Sequence, residues 1–331
     1  MSQARTRKKI GINEAGYQVP RFNLESRKFI WIKEMRSAGS RAAADAMVRL
    51  QRGKSYFDHY LGRVLISTYQ VEIQDLPIEL DGIRVVHLTD IHHGPWFPIE
   101  SVEELVARAN QLKPDLVALT GDFVANSSRY IEPVAKALGG LKPSIGSVAV
   151  MGNHDWWEGG EQMRQALEEV SIPLVDNSRL ILTPDRKLVS AADAGLAIAG
   201  VGDAWEDVVD FEKAVGGLPA TMPRLVLSHN PDCAEDRKLL RAGHRIDLML
   251  SGHTHGGQVC FPANGNPMLP RMRKSRYSRG LVMGPVCPVY ISRGIGTAGV
   301  PVRLGVSPEI AVFDLVGHGR TEPFPADSDR G

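Results

Sequence analysis

Cysteine is scarce. Cys233, Cys260 and Cys287 are the only three in 331 residues, far apart and without CxxC spacing. That excludes a disulfide framework and a thiolate zinc site, and leaves buried free thiols as the expectation for all three. Long apolar runs are also missing. No stretch approaches the roughly eighteen apolar residues of a membrane-spanning helix, and the opening residues MSQARTRKKIGINEAG lack the apolar segment of a secretory leader. Cytoplasmic residence is therefore expected. There is no internal repeat and no low-complexity tract, so a repeat or tract-driven architecture is excluded.

What is present is ordinary globular composition with an uneven charge. Hydrophobic residues make up 43% of the chain, enough to bury a large core in one large domain or two smaller ones. The formal net charge of +1 conceals +9 within residues 1–54 and −8 over the remainder. This contrast separates a basic N-terminal arm, residues 1–54, from the domain of residues 55–331. In the arm, NLESRKFIWIKEMR has helical character, with Asn23 as N-cap and Leu24, Phe29, Ile30, Trp31, Ile32 and Met35 as an apolar face. A basic amphipathic helix carrying Trp and Phe suits an anionic membrane surface at the inner face. Packing on the domain or on a second subunit is the equal alternative. Nucleic acid is a weaker reading, because a basic helix alone specifies no groove or base contact.

Beyond the arm, short β-branched runs alternate with amphipathic segments. Runs at 83–90, 115–122, 147–155, 195–203, 224–230, 246–255, 289–296 and 309–316 read as buried strands, with helices near 98–112, 129–139, 158–169 and 231–242. The layout is α/β. Most of the first six strand runs end in residues of one chemical kind: Asp90 and His92; Asp122; Asn153, His154 and Asp155; His229; His253 and His255. Asp203 ends another and is read as a bystander. Ligands in open α/β sheets bind outside the carboxyl ends of strands, so these residues can converge. In SGHTHGGQ (251–258), extended backbone would turn both imidazoles to the same side.

Asp90, Asp122 and Asn153 offer oxygen; His92, His229, His253 and His255 offer nitrogen. Seven such ligands suit a pair of divalent ions better than one, and the mixture does not select a single element. Two-metal hydrolytic sites need a shared carboxylate, and Asp122 is the natural bridge. Such a site generates hydroxide near neutral pH and clamps a phosphoryl group during in-line displacement.

The ordered set Asp90-x-His92, Gly121-Asp122, Gly152-Asn153-His154-Asp155, His229 and Gly252-His253-x-His255 resembles the calcineurin-like metallophosphoesterases over residues 80–260. GHTHGGQ, YISRGIGTAGVPVRLGVSPEI and RMRKSRYSRG are similar to a bacterial branch of membrane-associated phosphodiesterases, which extends the resemblance to about residue 315. The resemblance implies a four-layer αββα sandwich, two mixed sheets flanked by helices, within residues 55–331. It implies a phosphodiester or pyrophosphate bond as target, in a phosphorylated small molecule or lipid-linked or nucleotide-type substrate, and two divalent ions, Mn, Fe or Zn. One ion falls to Asp90, His92, Asp122 and His255, the other to Asp122, Asn153, His229 and His253. His154 contacts phosphate and assists the leaving group, and Asp155 orients His154.

One departure stands out: many members have an aspartate three residues after the bridging one, and here that residue is Ala125. Its absence questions the support of His154, for which Asp155 is a candidate substitute. Arg293, Arg303 and His93 are further candidates to touch substrate, with salt bridges or an exposed loop as their plain alternatives. Trp156 and Trp157 either shape the entrance or pack, and His87 is a core residue. A non-catalytic metal-binding protein that docks through its arm is the rival to an enzyme.

Overall fold

The computed structural model describes residues 64–260, 277–299 and 301–317. The arm of residues 1–54, including the expected helix with Asn23 as N-cap, lies outside the described residues, as do residues 271–276 of the basic loop.

The described strands are β1 (Leu65–Ile73), β2 (Ile83–Leu88), β3 (Leu116–Thr120), β4 (Gly146–Val150), β5 (Ser178–Leu182), β6 (Leu188–Val189), β7 (Leu196–Gly200), β8 (Arg224–Leu227), β9 (Leu248–Ser251), β10 (Gly280–Met283), β11 (Pro288–Ile291) and β12 (Glu309–Gly317). All eight expected runs contain a strand. Seven of those strands stop short of the run's end, so the polar residues that close these runs sit on loops. β1, β5, β6 and β10 were not evident, since LISTYQVEI and SRLIL mix polar and apolar residues as sheet margins do.

One sheet has the order β1-β12-β2-β3-β4 and the other β10-β11-β9-β8-β7-β5-β6. Both are mixed: β2, β3 and β4 run parallel beside antiparallel β12, and β9, β8 and β7 run parallel between antiparallel margins. The pleat sorts each central strand onto two cores. Val86, Leu88, Val117, Leu119 and Ala149 face helices α1 (Ile99–Gln111), α2 (Ile131–Leu138) and α3 (Asn153–Glu169). Val85, Leu116, Ala118, Val148 and Val150 face the second sheet, meeting Leu196, Ile198, Leu225, Leu227, Leu248 and Leu250. Val226 and Met249 point out of the far face, toward α4 (Phe211–Val215) and Leu239 of α5 (Arg237–Ala242). The layers are therefore helix, sheet, sheet, helix, which is the expected αββα sandwich.

Helix α1 follows Pro98 and buries Val102, Leu105, Val106 and Ala109, the spacing of one helical face. Helix α3 starts at Asn153, five residues earlier than its apolar periodicity indicates, because Gly152 N–H donates to Asp155 Oδ2 (2.9 Å) in the first turn. That early start carries Asn153 and His154 on the helix N-terminus. In the core between the sheets, Phe313 is 1% exposed and lies 5.6 Å from Tyr69 and 4.9 Å from Tyr290 by ring centroid. Phe313→Ala should lower stability by about 3–5 kcal/mol, read as a reduced urea midpoint at unchanged slope; a loss below about 1 kcal/mol would mean that the sheets close over the gap.

Candidate metal centre

The seven ligand candidates sit on five loops. Asp90 and His92 follow β2, Asp122 follows β3, Asn153 opens α3 after β4, His229 follows β8, and His253 and His255 follow β9. β2, β3, β8 and β9 lie inside their sheets and β4 is the edge strand beside β3, so their carboxyl ends bring the loops together. Five of the seven adopt left-handed backbone: Asp90 (φ 52°), His92 (48°), Asp122 (53°), His253 (68°) and His255 (52°). Each such non-glycine conformation costs on the order of 1–3 kcal/mol and persists where surrounding packing over-determines it. It also corrects the reading of SGHTHGGQ. Extended backbone ends at Ser251, and the two left-handed residues send their imidazoles to two different clusters rather than to one side.

In the first cluster, His255 Nε2 is 3.0 Å from His92 Nε2 and 3.3 Å from Asp90 Oδ1, and His92 Nε2 is 4.0 Å from Asp90 Oδ1. In the second, His253 Nδ1 is 3.0 Å from Asn153 Oδ1 and 3.2 Å from His229 Nε2. Asp122 stands between them: its Oδ2 lies 3.4 Å from His92 Nε2 and 3.3 Å from His229 Nε2. Its Oδ1 accepts from the His154 backbone N–H at 2.9 Å. The structure thus brings all seven ligand candidates and His154 into one centre.

Does this arrangement fit two cations? For bonds of about 2.1 Å at tetrahedral or octahedral angles, neighbouring ligand atoms lie about 3.0–3.4 Å apart. All but one of the separations between ligand atoms fall in that range, the exception being His92 Nε2 to Asp90 Oδ1 at 4.0 Å. Imidazole nitrogens and carboxylate oxygens converging at these separations are a donor set that fits metal. Burial, reinforced by His154, pushes the His92 imidazole down to about 3; burial, reinforced by His229, does the same to His253, and His255 is also held well below its ordinary range. These rings are neutral, with lone pairs free to coordinate. Burial opposes ionisation of both Asp122 and His229, yet their mutual attraction wins, holding the carboxyl well below and the imidazole well above the ordinary range. A cation arriving here displaces the His229 proton.

The supporting residues depart from expectation. Asp155 does not orient His154. Its carboxylate accepts from the backbone N–H groups of Asp122 (2.8 Å), Phe123 (2.8 Å), Val124 (3.3 Å) and Gly152 (2.9 Å), so it holds the loop that carries the bridging carboxylate. His154 Nδ1 instead donates to the Ala125 carbonyl at 2.5 Å. A carbonyl only accepts, so the proton is on Nδ1 and Nε2 is the lone-pair atom of the neutral ring. The residue that lacks the family carboxylate thus supports His154 through its backbone.

Arg303 is placed differently from its expected phosphate contact. Its guanidinium is held at all three nitrogens: Nε and Nη2 donate to Gly296 O (2.9 and 2.6 Å), Nη1 to Arg293 O (2.7 Å) and His255 O (3.3 Å), and Nη2 lies 3.2 Å from His255 Nδ1. Four contacts to backbone carbonyls fix the guanidinium as a brace between loops. Gly296 N–H in turn donates to Asp90 O at 2.7 Å, so Arg303 ties the His255 loop to the Asp90–His92 loop. His93 is also corrected: it is 4% exposed, with Nδ1 on Phe97 O at 2.9 Å and its ring edge-on to Tyr130. Arg293 is half-buried beside Gly256. His87 is buried between the sheets on Thr120 Oγ1, as expected.

Thr89 gave no signal in the sequence, yet its hydroxyl donates to Asp90 Oδ2 (2.9 Å). The motif glycine Gly252 makes that contact possible: a Cβ there would stand 2.1 Å from Thr89 Oγ1 and 2.3 Å from Asp90 Oδ2. The three cysteines are buried and free, as read.

The calcineurin-like phosphoesterase family model matches residues 83–257, which contain every ligand described above. The chain belongs to that family. Phosphodiesterase YaeI of Escherichia coli is 32% identical over 238 residues, covering 70% of this chain and 82% of that protein. The uncharacterized metallophosphoesterase YkuE of Bacillus subtilis is 29% identical over 272 residues, covering 80% and 91%. A zebrafish transmembrane protein with a metallophosphoesterase domain is 30% identical over 250 residues, of which the chain spans 55% of the length. Among solved structures, a dimetal phosphatase from Danio rerio covers 65% of this chain and 88% of its own at a TM-score of 0.38 and 12% identity. The protein is a phosphoric ester hydrolase by family, and its His/Asp clusters are of the kind that binds divalent metal.

Removing a residue that orients metal ligands typically weakens metal affinity about 10–100-fold. Arg303→Met should show a loss of that size in a manganese titration followed by electron paramagnetic resonance. Unchanged manganese affinity with a raised KM would return Arg303 to a substrate contact.

Proposed function

We propose that the protein cleaves a phosphodiester or pyrophosphate bond in a lipid-linked or nucleotide-type substrate, using two divalent ions drawn from Mn, Fe or Zn. The observation that carries this reading is the shared position of Asp122 Oδ2, 3.4 Å from His92 and 3.3 Å from His229, with His154 on the helix turn beside it. Asp90, His92, His255 and Asp122 would hold one ion, and Asn153, His229, His253 and Asp122 the other. When bound, such a pair supplies Lewis acidity to phosphoryl oxygens and acidifies an attacking water.

The chain's own residues do the rest. A ring nitrogen of His154 lies within 4.8 Å of the ligand atoms of His92 and Asp122, which puts it beside the centre. With Nδ1 fixed on Ala125 O, Nε2 is the atom that reaches substrate. Protonated, it donates to the leaving oxygen as the ester bond breaks. Asp155 and Arg303 hold the loops and transfer no proton. The printed name of the Escherichia coli relative supports a diester over a monoester. A non-catalytic binding role is disfavoured because His154 and every ligand candidate are retained in one centre.

His154→Ala should lower turnover of bis-p-nitrophenyl phosphate by about a hundredfold or more, with manganese content intact by elemental analysis. Equal turnover in the variant would remove His154 from the chemistry.

We also propose that the arm of residues 1–54 rests on an anionic membrane surface, with the domain of residues 55–331 in the cytoplasm. No helix among the described residues is long and apolar enough to cross a membrane. A basic residue near an anionic surface contributes about 1 kcal/mol. Changing Arg27, Lys28, Lys33 and Arg36 to Gln in the full chain should therefore reduce sedimentation with phosphatidylserine vesicles at least tenfold while sparing diester hydrolysis. Retained sedimentation would assign the arm to a protein contact.

A further inference from the structure

Two tryptophans flank the second cluster, and nothing in the phosphoesterase chemistry requires them. Trp157 lies one helical turn after His154 in α3, and its ring centroid is 4.8 Å from that of His154. Trp205, on the loop after β7, stands edge-to-face on His253 at 4.4 Å and 86°. The two indoles are 6.3 Å apart and tilted by 34°. The order His154, Trp157, Trp205, His253 therefore forms one continuous aromatic wall. Both tryptophans are half-buried, so each is partly open to solvent. Trp156 is different: it packs against Gly160 and the helix-side core.

The wall is rigidly built. Asp203, read from sequence as a bystander, is 1% exposed and its Oδ1 accepts from the N–H groups of Trp205 (2.9 Å) and Glu206 (3.0 Å). Asn177 pins the same loop, accepting from Gly202 N–H (3.1 Å) and Asp210 N–H (2.9 Å) and donating to Val208 O (2.7 Å). Glu206 Oε1 accepts from Trp157 Nε1 at 2.5 Å, which joins the loop to α3. A mobile cover would not be held at so many points.

We infer that this wall is the subsite for the leaving group, and that it takes an uncharged substituent with an aromatic or hydrocarbon face. The inference rests on the diester-or-pyrophosphate reading above and chooses between its two halves. The leaving group departs past His154, and Trp157 is the ring adjoining it there. An indole face carries the negative side of its quadrupole, and the carboxylate of Glu206 lies at the N–H edge of Trp157. An anionic leaving group, such as a second phosphate, meets repulsion from both. The tilt and spacing leave no parallel slot for a base to enter, so the substituent lies along the wall rather than between its rings. The substrate is accordingly a phosphodiester with a neutral, apolar-faced alcohol, whether aryl or lipid.

The test uses two methyl aryl phosphodiesters, of p-hydroxyacetophenone and of p-hydroxybenzenesulfonate, whose leaving phenols have comparable acidity and differ in charge. The full-length, manganese-loaded protein should prefer the neutral ester at least tenfold in kcat/KM. Trp157→Ala and Trp205→Ala should each lower that value for the neutral ester about three- to tenfold, the equivalent of one aromatic contact, mainly through KM, with manganese content unchanged. The Phe variants should recover most of it. Quenching of indole fluorescence by p-hydroxyacetophenone, absent with the sulfonate, would support the subsite independently of turnover; adding a short-chain glycerophosphodiester as competitor separates a lipid from an aryl preference. Equal rates on both esters, or equal losses on both in the Trp variants, would overturn the wall while leaving the diesterase intact. Cleavage of inorganic pyrophosphate with neither diester hydrolysed would overturn the diesterase reading itself, and this inference with it.

Discussion

The centre depends on one carboxylate being held between two groups of imidazoles. Asp122 Oδ2 can face His92 and His229 together only because Oδ1 is taken by the His154 N–H and because its backbone is left-handed at φ 53°. Neither condition is local to Asp122. The N–H comes from α3, and the backbone is held by Asp155, buried in the first turn of the same helix and accepting N–H groups from three consecutive residues of the Asp122 loop. Where α3 begins therefore decides where the bridge stands. The Gly152–Asp155 contact that starts the helix is as much part of the site as the ligands are.

The same logic explains why the ligand loops tolerate strain. Five left-handed residues at about 1–3 kcal/mol each exceed what a loose loop could hold. The loops hang from β2, β3, β8 and β9, which are buried on both faces. Cross-links between loops then remove the freedom that remains: His253 N–H on the Asp90 carboxylate, Gly296 N–H on Asp90 O, and Arg303 across His255, Arg293 and Gly296. Arg303 offsets the missing secondary structure there, since its planar fork satisfies carbonyls that no strand reaches.

How much of this could be read in the sequence follows from what periodicity and spacing encode. The central strands are continuous apolar runs, so their existence and the gathering of their ends were legible, as were the ligand candidates from motif order. The divergence of His253 and His255 was legible only through the resemblance, because alternation describes extended backbone and the chain leaves it at Gly252. Asp155 was assigned to His154 by adjacency, whereas a helix N-terminus turns its third residue back toward the preceding loop. Arg303 is a phosphate candidate by residue type alone; that the carbonyls of His255, Arg293 and Gly296 await it depends on loops that only the fold brings together. Trp205 lies in a segment with no motif, and its approach to His253 follows from the packing of two sheets.

Ala125 shows why a missing motif residue and a missing interaction are different things. The family aspartate at that position would give His154 Nδ1 a carboxylate acceptor; here the Ala125 carbonyl accepts instead. Both fix the same ring nitrogen as the protonated one and both aim the ring. They differ in charge. A carboxylate at 125 would be a further anion near Asp122 and Asp155, both buried, where each added like charge raises the cost of ionising the others. A Cβ built on Gly94 would stand 2.8 Å from that of Ala125, so the two loops approach closely here because residue 94 is glycine. The backbone acceptor keeps the orientation of His154 without adding to the negative charge that two cations must balance.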